Sequence, residues 1–249
     1  MVQNYTVWVE NNAYLVVVSD EREALLAAKA VGRVFVALYT ENPEQETLWD
    51  AGYIAAPDAI CPEYLERIVR RHIGLPWIIA ETDRLIIREF TLDDIAQMPE
   101  EPDVWYTEEE RTADRVFYDK DKLESYIKSQ YRFYEYGIWA VVRKADDVIV
   151  GKAGVTNLEE SEHSEFGNKT IPTEESAEYL ELGYHIFRPY RRQGYAEEAC
   201  RAILNYAKEE LACPVCARVA KENTASIQLL EKLKLPYFTI DCKRKTYMK

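Results

Sequence analysis

Apolar positions along this chain fall into short runs of strand length, separated by turn residues and by stretches of helical period. Residues 13–18 (AYLVVV) form one such run, and Ser19-Asp20 follows in a position to cap an Ala-rich helical stretch over 21–31 that Gly32 stops. Residues 34–38 (VFVAL) read as a second buried strand. Strand, helix and strand at this spacing predict a βαβ crossover with a parallel pair. A polar loop, a short apolar stretch at 53–56 and a helix from about Pro62 to His72 come next, with Pro62 suited to the first helical turn. Gly74-Leu75-Pro76 ends that helix and marks a boundary between a small N-terminal α/β unit, 1–78, and a larger domain, 79–249.

Past the boundary, residues 84–90 (RLIIREF) read as a strand and Thr91 as the cap of a short helix. Residues 99–121 are acidic and read as irregular, whereas 122–136 are aromatic with a helical period that Gly137 stops. Residues 138–143 and 148–155 pair naturally as a hairpin across 144–147. A second acidic, loop-like segment spans 157–177, then a strand at 179–187, a basic turn at 189–194 and a helix from Tyr195 to about Leu211. A strand at 215–220, a helix at 223–233 and two short strands near 237–240 and 243–248 complete an α/β (α+β) pattern with a mixed sheet and no internal repeat.

Composition narrows the function classes. The 249 residues carry 31 basic and 44 acidic side chains, a formal net charge of −13, so the chain is poorly suited to neutralising a nucleic-acid backbone and better suited to cationic partners. No apolar run approaches the roughly 18–20 residues of a membrane span, and the first ten residues lack the basic region and apolar core of a signal peptide. Five cysteines without framework spacing imply a reduced, cytoplasmic setting. The pair Cys213-Pro-Val-Cys216 has no second pair and no neighbouring histidine, so it reads as structural, and no metal site is expected.

Chemistry concentrates in LELGYHIFRPYRRQGYA, residues 180–196, which run directly into a helix. A strand–turn–helix order leaves main-chain N–H groups unpaired at the helix start, and their partial positive charge makes an anion site. Gly194 omits a side chain where an anion must approach the backbone, and Ala196 keeps the next turn shallow. Arg188, Arg191 and Arg192 form a basic island in an acidic chain. The plain alternative is an Arg-rich helix start that only caps and solvates.

Arg191-x-x-Gly194-x-Ala196 resembles the pyrophosphate-loop signature of the GNAT superfamily of acyl-CoA-dependent N-acetyltransferases. In the same order, residues 82–90 (TDRLIIREF) resemble the opening strand of that family, Leu180-Glu-Leu-Gly-Tyr184 the fourth strand of its Rim-type branch, and Asn223-x-x-Ser226 the next motif. The resemblance spans roughly 82–249 and implies a GNAT fold with a splayed central sheet that holds acetyl-CoA. It further implies direct attack of a primary amine on the thioester through a tetrahedral intermediate, whose oxyanion a main-chain N–H stabilises. Cofactor contacts would come from Ile186, Phe187 and Arg188 along the pantetheine arm, from Arg191, Arg192, Gln193, Gly194, Tyr195 and Ala196 in the loop, and from Asn223 and Ser226 on the other side.

The amine must lose a proton. Glu181 is the first candidate base, because the Rim-type branch carries an acidic residue there; a solvated strand face is its plain alternative. His185 is the second, with an ordinary pKa near neutrality. Many members carry a tyrosine seven residues after the motif asparagine, where this chain has Leu230, so the donor to the departing thiolate is open among Ser226, Tyr184, Tyr195 and water. The acidic segments 99–121 and 157–177 stand where Rim-type enzymes build an acceptor rim, and charge reversal at Glu174 and Glu175 would test whether they favour a cationic acceptor.

Residues 13–75 more faintly resemble the last part of a haloacid-dehalogenase-type phosphatase core. The nucleophile motif is missing upstream and Asp119-Lys-Asp121-Lys-Leu123 is misplaced, so the unit reads as non-catalytic. Three functions are in play: an N-acetyltransferase acting on a protein N-terminus or a small cationic amine, a non-catalytic acyl-CoA sensor or interaction module, and, least supported, a phosphatase. A homodimer is compatible with the sequence.

Overall fold

The computed structural model describes residues 1–39, 52–99, 108–157, 179–240 and 244–248. The chain divides into two compact units, Met1–Trp77 with Arg132–Tyr134, and Ile78–Tyr131 with Glu135–Lys249.

In the first unit, β1 (Val2–Val9), β2 (Asn12–Ser19), β3 (Val34–Leu38) and β4 (Ile54–Ala55) form one sheet in chain order. Parallel pairing of β2 with β3 follows from α1 (Arg22–Ala30) crossing between them. Two details differ from the sequence reading. The first ten residues contribute β1, which pairs antiparallel with β2 across a turn where Glu10 and Asn11 both take positive φ. The N-cap of α1 is Glu21, whose N–H donates to Ser19 Oγ at 2.9 Å, while Asp20 pairs with the N-terminal amine. The helix α2 (Pro62–His72) buries Leu65, Ile68 and Val69 in a core with Val16, Val18, Val34 and Val36.

The second unit is built on β5 (Ile78–Glu81), β6 (Leu85–Arg88), β7 (Ile138–Arg143), β8 (Val148–Asn157), β9 (Leu180–Ile186), β10 (Val215–Ala220), β11 (Tyr237–Ile240) and β12 (Arg244–Met248). Their order is β11-β12-β10-β9-β8-β7-β6-β5, and every adjacent pair is antiparallel except β9 with β10. A parallel neighbour cannot be reached through a tight turn, and α5 (Tyr195–Glu209) lies in the connection between these two strands.

Strand alternation divides the core between the two faces of the sheet. Trp139 meets Tyr206 of α5 edge-on at 5.5 Å, whereas Ala140 and Val142 join Phe90, Phe117, Leu123, Ile149 and Phe187 on the other face. On that second face lie α3 (Glu108–Asp114), a 3-10 turn at Arg115–Tyr118 and α4 (Lys120–Tyr126), so all of 108–121 but the extended Asp119 is helical where the sequence suggested an irregular chain. The helix continues as a π-helical stretch, Ile127–Tyr134, and ends at Glu135 with φ 63°, two residues before Gly137. Lys152 of β8 is 3% exposed; its ammonium pairs with Asp114 and lies 5.1 Å from the ring centroids of both Phe117 and Tyr118. No described helix is long and apolar enough to cross a membrane.

Candidate active site

At the parallel junction the sheet opens. The strands β9 and β10 pair only at Leu180↔Val215 and Glu181↔Cys216, yet β9 runs on to Ile186 and β10 to Ala220. A cavity of about 330 Å³ occupies this part of the unit. Tyr184, His185 and Ile186 line it from β9, and Tyr190, Arg191, Arg192, Gly194, Tyr195, Ala196 and Glu197 from the turn and the start of α5. Asn223 and α6 (Thr224–Lys232) supply Ala225, Ser226, Gln228, Leu229 and Lys232.

The turn is shaped to present its main chain. Arg192 and Gly194 both take left-handed backbone, φ 61° and 86°. The first main-chain bond of α5 joins Glu198 N–H to Gly194 O, so the N–H groups of residues 194–197 precede the helical ladder. Together with the helix dipole they favour an anion. Charged side chains on the cavity wall are Arg191, Arg192 and Lys232 against Glu197 alone. Glu197 accepts hydrogen bonds from Lys232 and Arg201, which hold its carboxyl below the ordinary range and keep its charge occupied.

Of the cofactor residues expected from sequence, Ile186, Arg191, Arg192, Gly194, Tyr195, Ala196, Asn223 and Ser226 come together on this wall. Phe187, Arg188 and Gln193 do not. Phe187 is fully buried in the core and gives its N–H to Val150 O, Arg188 is exposed, and Gln193 turns its carbonyl to Arg84. Arg191 does more than add charge: its Nε donates to Ile186 O at 2.7 Å, so that carbonyl is already engaged. Asn223 serves as the N-cap of α6, its Oδ1 accepting from Ser226 N–H at 3.2 Å.

Catalytic candidates divide by face. Tyr184 points toward α5 and α6, hydrogen-bonds Ser226, and is pushed above the usual phenol range, chiefly by burial, so it stays a neutral donor. Leu230, at the position of the family tyrosine, is 1% exposed in the core. His185 is buried on the opposite face, with Nε2 3.4 Å from Arg191 Nη2. Glu181 stands at the vertex of the opening and is not among the residues of the cavity wall; its carboxylate is held by Arg218 through Nε at 3.0 Å and Nη2 at 2.5 Å. Two bonds occupy half of a carboxylate's acceptor capacity.

The sequence reading missed Tyr190, Glu197, Ala225, Gln228, Leu229 and Lys232 on the wall, and Arg218 behind it. The α6 residues were discoverable: 225, 228, 229 and 232 repeat at helical spacing from the Asn223 motif. Arg218 was not, because only the register across the open junction brings it to Glu181. Residues 100–107 and 158–178, which include Glu174, Glu175 and most of the expected acidic rim, lie outside the described residues.

Residues 84–235 match the family model described as an acetyltransferase (GNAT) domain. Among solved structures, the chain is similar to an acetyltransferase of Agrobacterium tumefaciens str. C58 (18% identity, 68% of this chain and 92% of that one, TM-score 0.47). It is also similar to the ribosomal-protein-S5-alanine acetyltransferase of Vibrio fischeri (13%, 70% and 96%, TM-score 0.48). The family match runs from β6 to α6 and takes in the open junction and the loop. The chain belongs to the GNAT family of acetyltransferases, whose acetyl donor is acetyl-CoA.

Proposed function

We propose that this chain transfers the acetyl group of acetyl-CoA to a primary amine, either a protein N-terminus or a small cationic amine. The observation that carries the proposal is the coincidence of an open parallel junction with a left-handed, cationic turn at the start of α5. Bound acetyl-CoA supplies an activated thioester; the protein's own groups bind, orient and move protons. The N–H groups of residues 194–197 and the Arg192 side chain receive the diphosphate. The unpaired edge of β9 beyond Glu181 offers main-chain groups to the extended arm, with Asn223 and Ser226 facing it across the gap.

Tyr184, neutral and bonded to Ser226, is placed to donate a hydrogen bond to the departing sulfur, the role open since Leu230 replaces the family tyrosine. Glu181 takes the acceptor's proton, with Arg218 fixing its orientation and two lone-pair sites left for the amine. His185 lies beside the Arg191 guanidinium, which leaves it a supporting part. The transfer is direct, without an acyl-enzyme.

Free-thiol release from acetyl-CoA across a panel of amines tests the reading. Turnover with at least one primary amine is expected. Tight acetyl-CoA binding without turnover on N-terminal peptides, polyamines, amino acids or aminoglycosides would instead establish an acyl-CoA sensor.

A further inference from the structure

The turn that receives the diphosphate is not held by its own bonds alone. Arg84, just ahead of β6, reaches it from the neighbouring strands: Nη1 donates to Gln193 O at 3.0 Å, and the guanidinium lies 4.7 Å over the Tyr195 ring. The same guanidinium packs so near Gly194 that an added Cβ would sit 3.3 Å from Nη2. A second strut comes from Arg143, which donates to the Tyr195 hydroxyl and lies 5.0 Å over Tyr190.

Arg84 is itself fixed by one carboxylate, Glu198 in the first turn of α5. Glu198 Oε2 accepts from Arg84 Nε at 2.7 Å, and Oε1 accepts from Arg84 N–H at 3.0 Å and from Thr82 Oγ1 at 2.6 Å. Burial pushes this carboxyl up, but the bonds from Thr82 and Arg84 outweigh it and hold it below the ordinary range. Glu198 is not among the residues of the cavity wall; its carboxylate is turned to Thr82 and Arg84. Its bonds nevertheless close a ring that runs from α5 through Thr82 and Arg84 back to the Gln193 carbonyl.

We propose that Glu198 is a positioning residue for the acetyl-CoA site: through Arg84 it sets the 191–196 turn in its receiving shape before the donor arrives. The inference rests on the acetyl-CoA reading of that turn and adds the device that pre-orders it. A turn shaped in advance does not spend binding energy on its own ordering, so loosening it weakens donor affinity without altering chemistry in the filled site.

Calorimetry with CoA, and steady-state kinetics with acetyl-CoA and an accepted amine, on wild type, E198Q, R84M and the double variant test this. Both single variants should raise the CoA Kd and the acetyl-CoA KM about tenfold or more, a loss of about 1.4 kcal/mol. Acceptor KM and saturating kcat should stay within about twofold, and the double variant should be no worse than the poorer single. Unchanged Kd in folded E198Q, a fall in kcat at unchanged KM, or additive losses would each overturn the proposal. If E198Q does not fold, T82V removes one bond to the same carboxylate and must still raise Kd measurably. Wild type that ignores CoA would sink the acetyl-CoA reading itself, a different result from wild type that binds and variants that match it.

Discussion

Replacing Gly194 with alanine separates two ways in which one backbone conformation can matter. At φ 86° an L-residue carries a strain of about 1–2 kcal/mol. The added methyl meets only the end of Arg84, at 3.3 Å, which can yield by a few tenths of an ångström. If the G194A variant keeps the left-handed shape, the whole strain appears as lost stability. If the turn relaxes, stability recovers, but acetyl-CoA must restore the shape and its Kd rises by about 5–30-fold. Lost stability and lost binding should therefore sum to about 1–2 kcal/mol or more, however they divide. Gly32, at φ 69° with nothing within 4 Å of an added Cβ, is the matched control. G32A should lose stability by a similar amount and leave CoA affinity untouched. Denaturant melts and calorimetry on both variants decide the matter. G194A with stability and Kd both at wild-type values would refute the claim that this turn requires glycine.

Three further outcomes are expected. E181Q should lower kcat by about 10²–10⁴-fold with acetyl-CoA KM nearly unchanged, and an unaltered kcat would move the base elsewhere. Y184F should reduce kcat by only about tenfold, because a thiolate of pKa about 8.5 leaves without much help; a collapse of activity would make the Tyr184 proton essential. D114N removes a carboxylate that pairs with the buried Lys152 ammonium and should destabilise by about 3–5 kcal/mol, whereas K152M removes the buried charge itself and should cost clearly less by the same melt. Equal losses in the two variants would contradict that account.

Much of the architecture was legible because local signals and burial agree. The runs at 34–38, 138–143 and 215–220 became strands with the expected bounds, since each is apolar, short and flanked by turn residues. β1 was overlooked, although Tyr5, Val7 and Val9 alternate toward the core, because polar Gln3, Asn4 and Thr6 lie between apolar neighbours. The reading of 108–121 as irregular followed its charge and missed that short acidic helical turns need only a few apolar anchors, here Phe117 and, just beyond the segment, Leu123. The loop motif located the cavity, since helix start and glycine conformation are local properties. What it could not disclose were partners brought in from distant strands: Arg84 to Gln193, Arg218 to Glu181, Lys152 to Asp114.

The two-residue contact between β9 and β10 also interrupts the hydrogen-bond network of the whole sheet. On one side, β5 to β9 share long antiparallel ladders; on the other, β10, β12 and β11 form a separate three-stranded patch. Amide exchange should therefore run faster at 217–220 than at the middle of β8, and a donor spanning the gap would stitch the two halves together. Slowed exchange in the C-terminal patch on adding CoA would report that the donor bridges the gap, and exchange unchanged there would show that it rests on β9 and α6 alone.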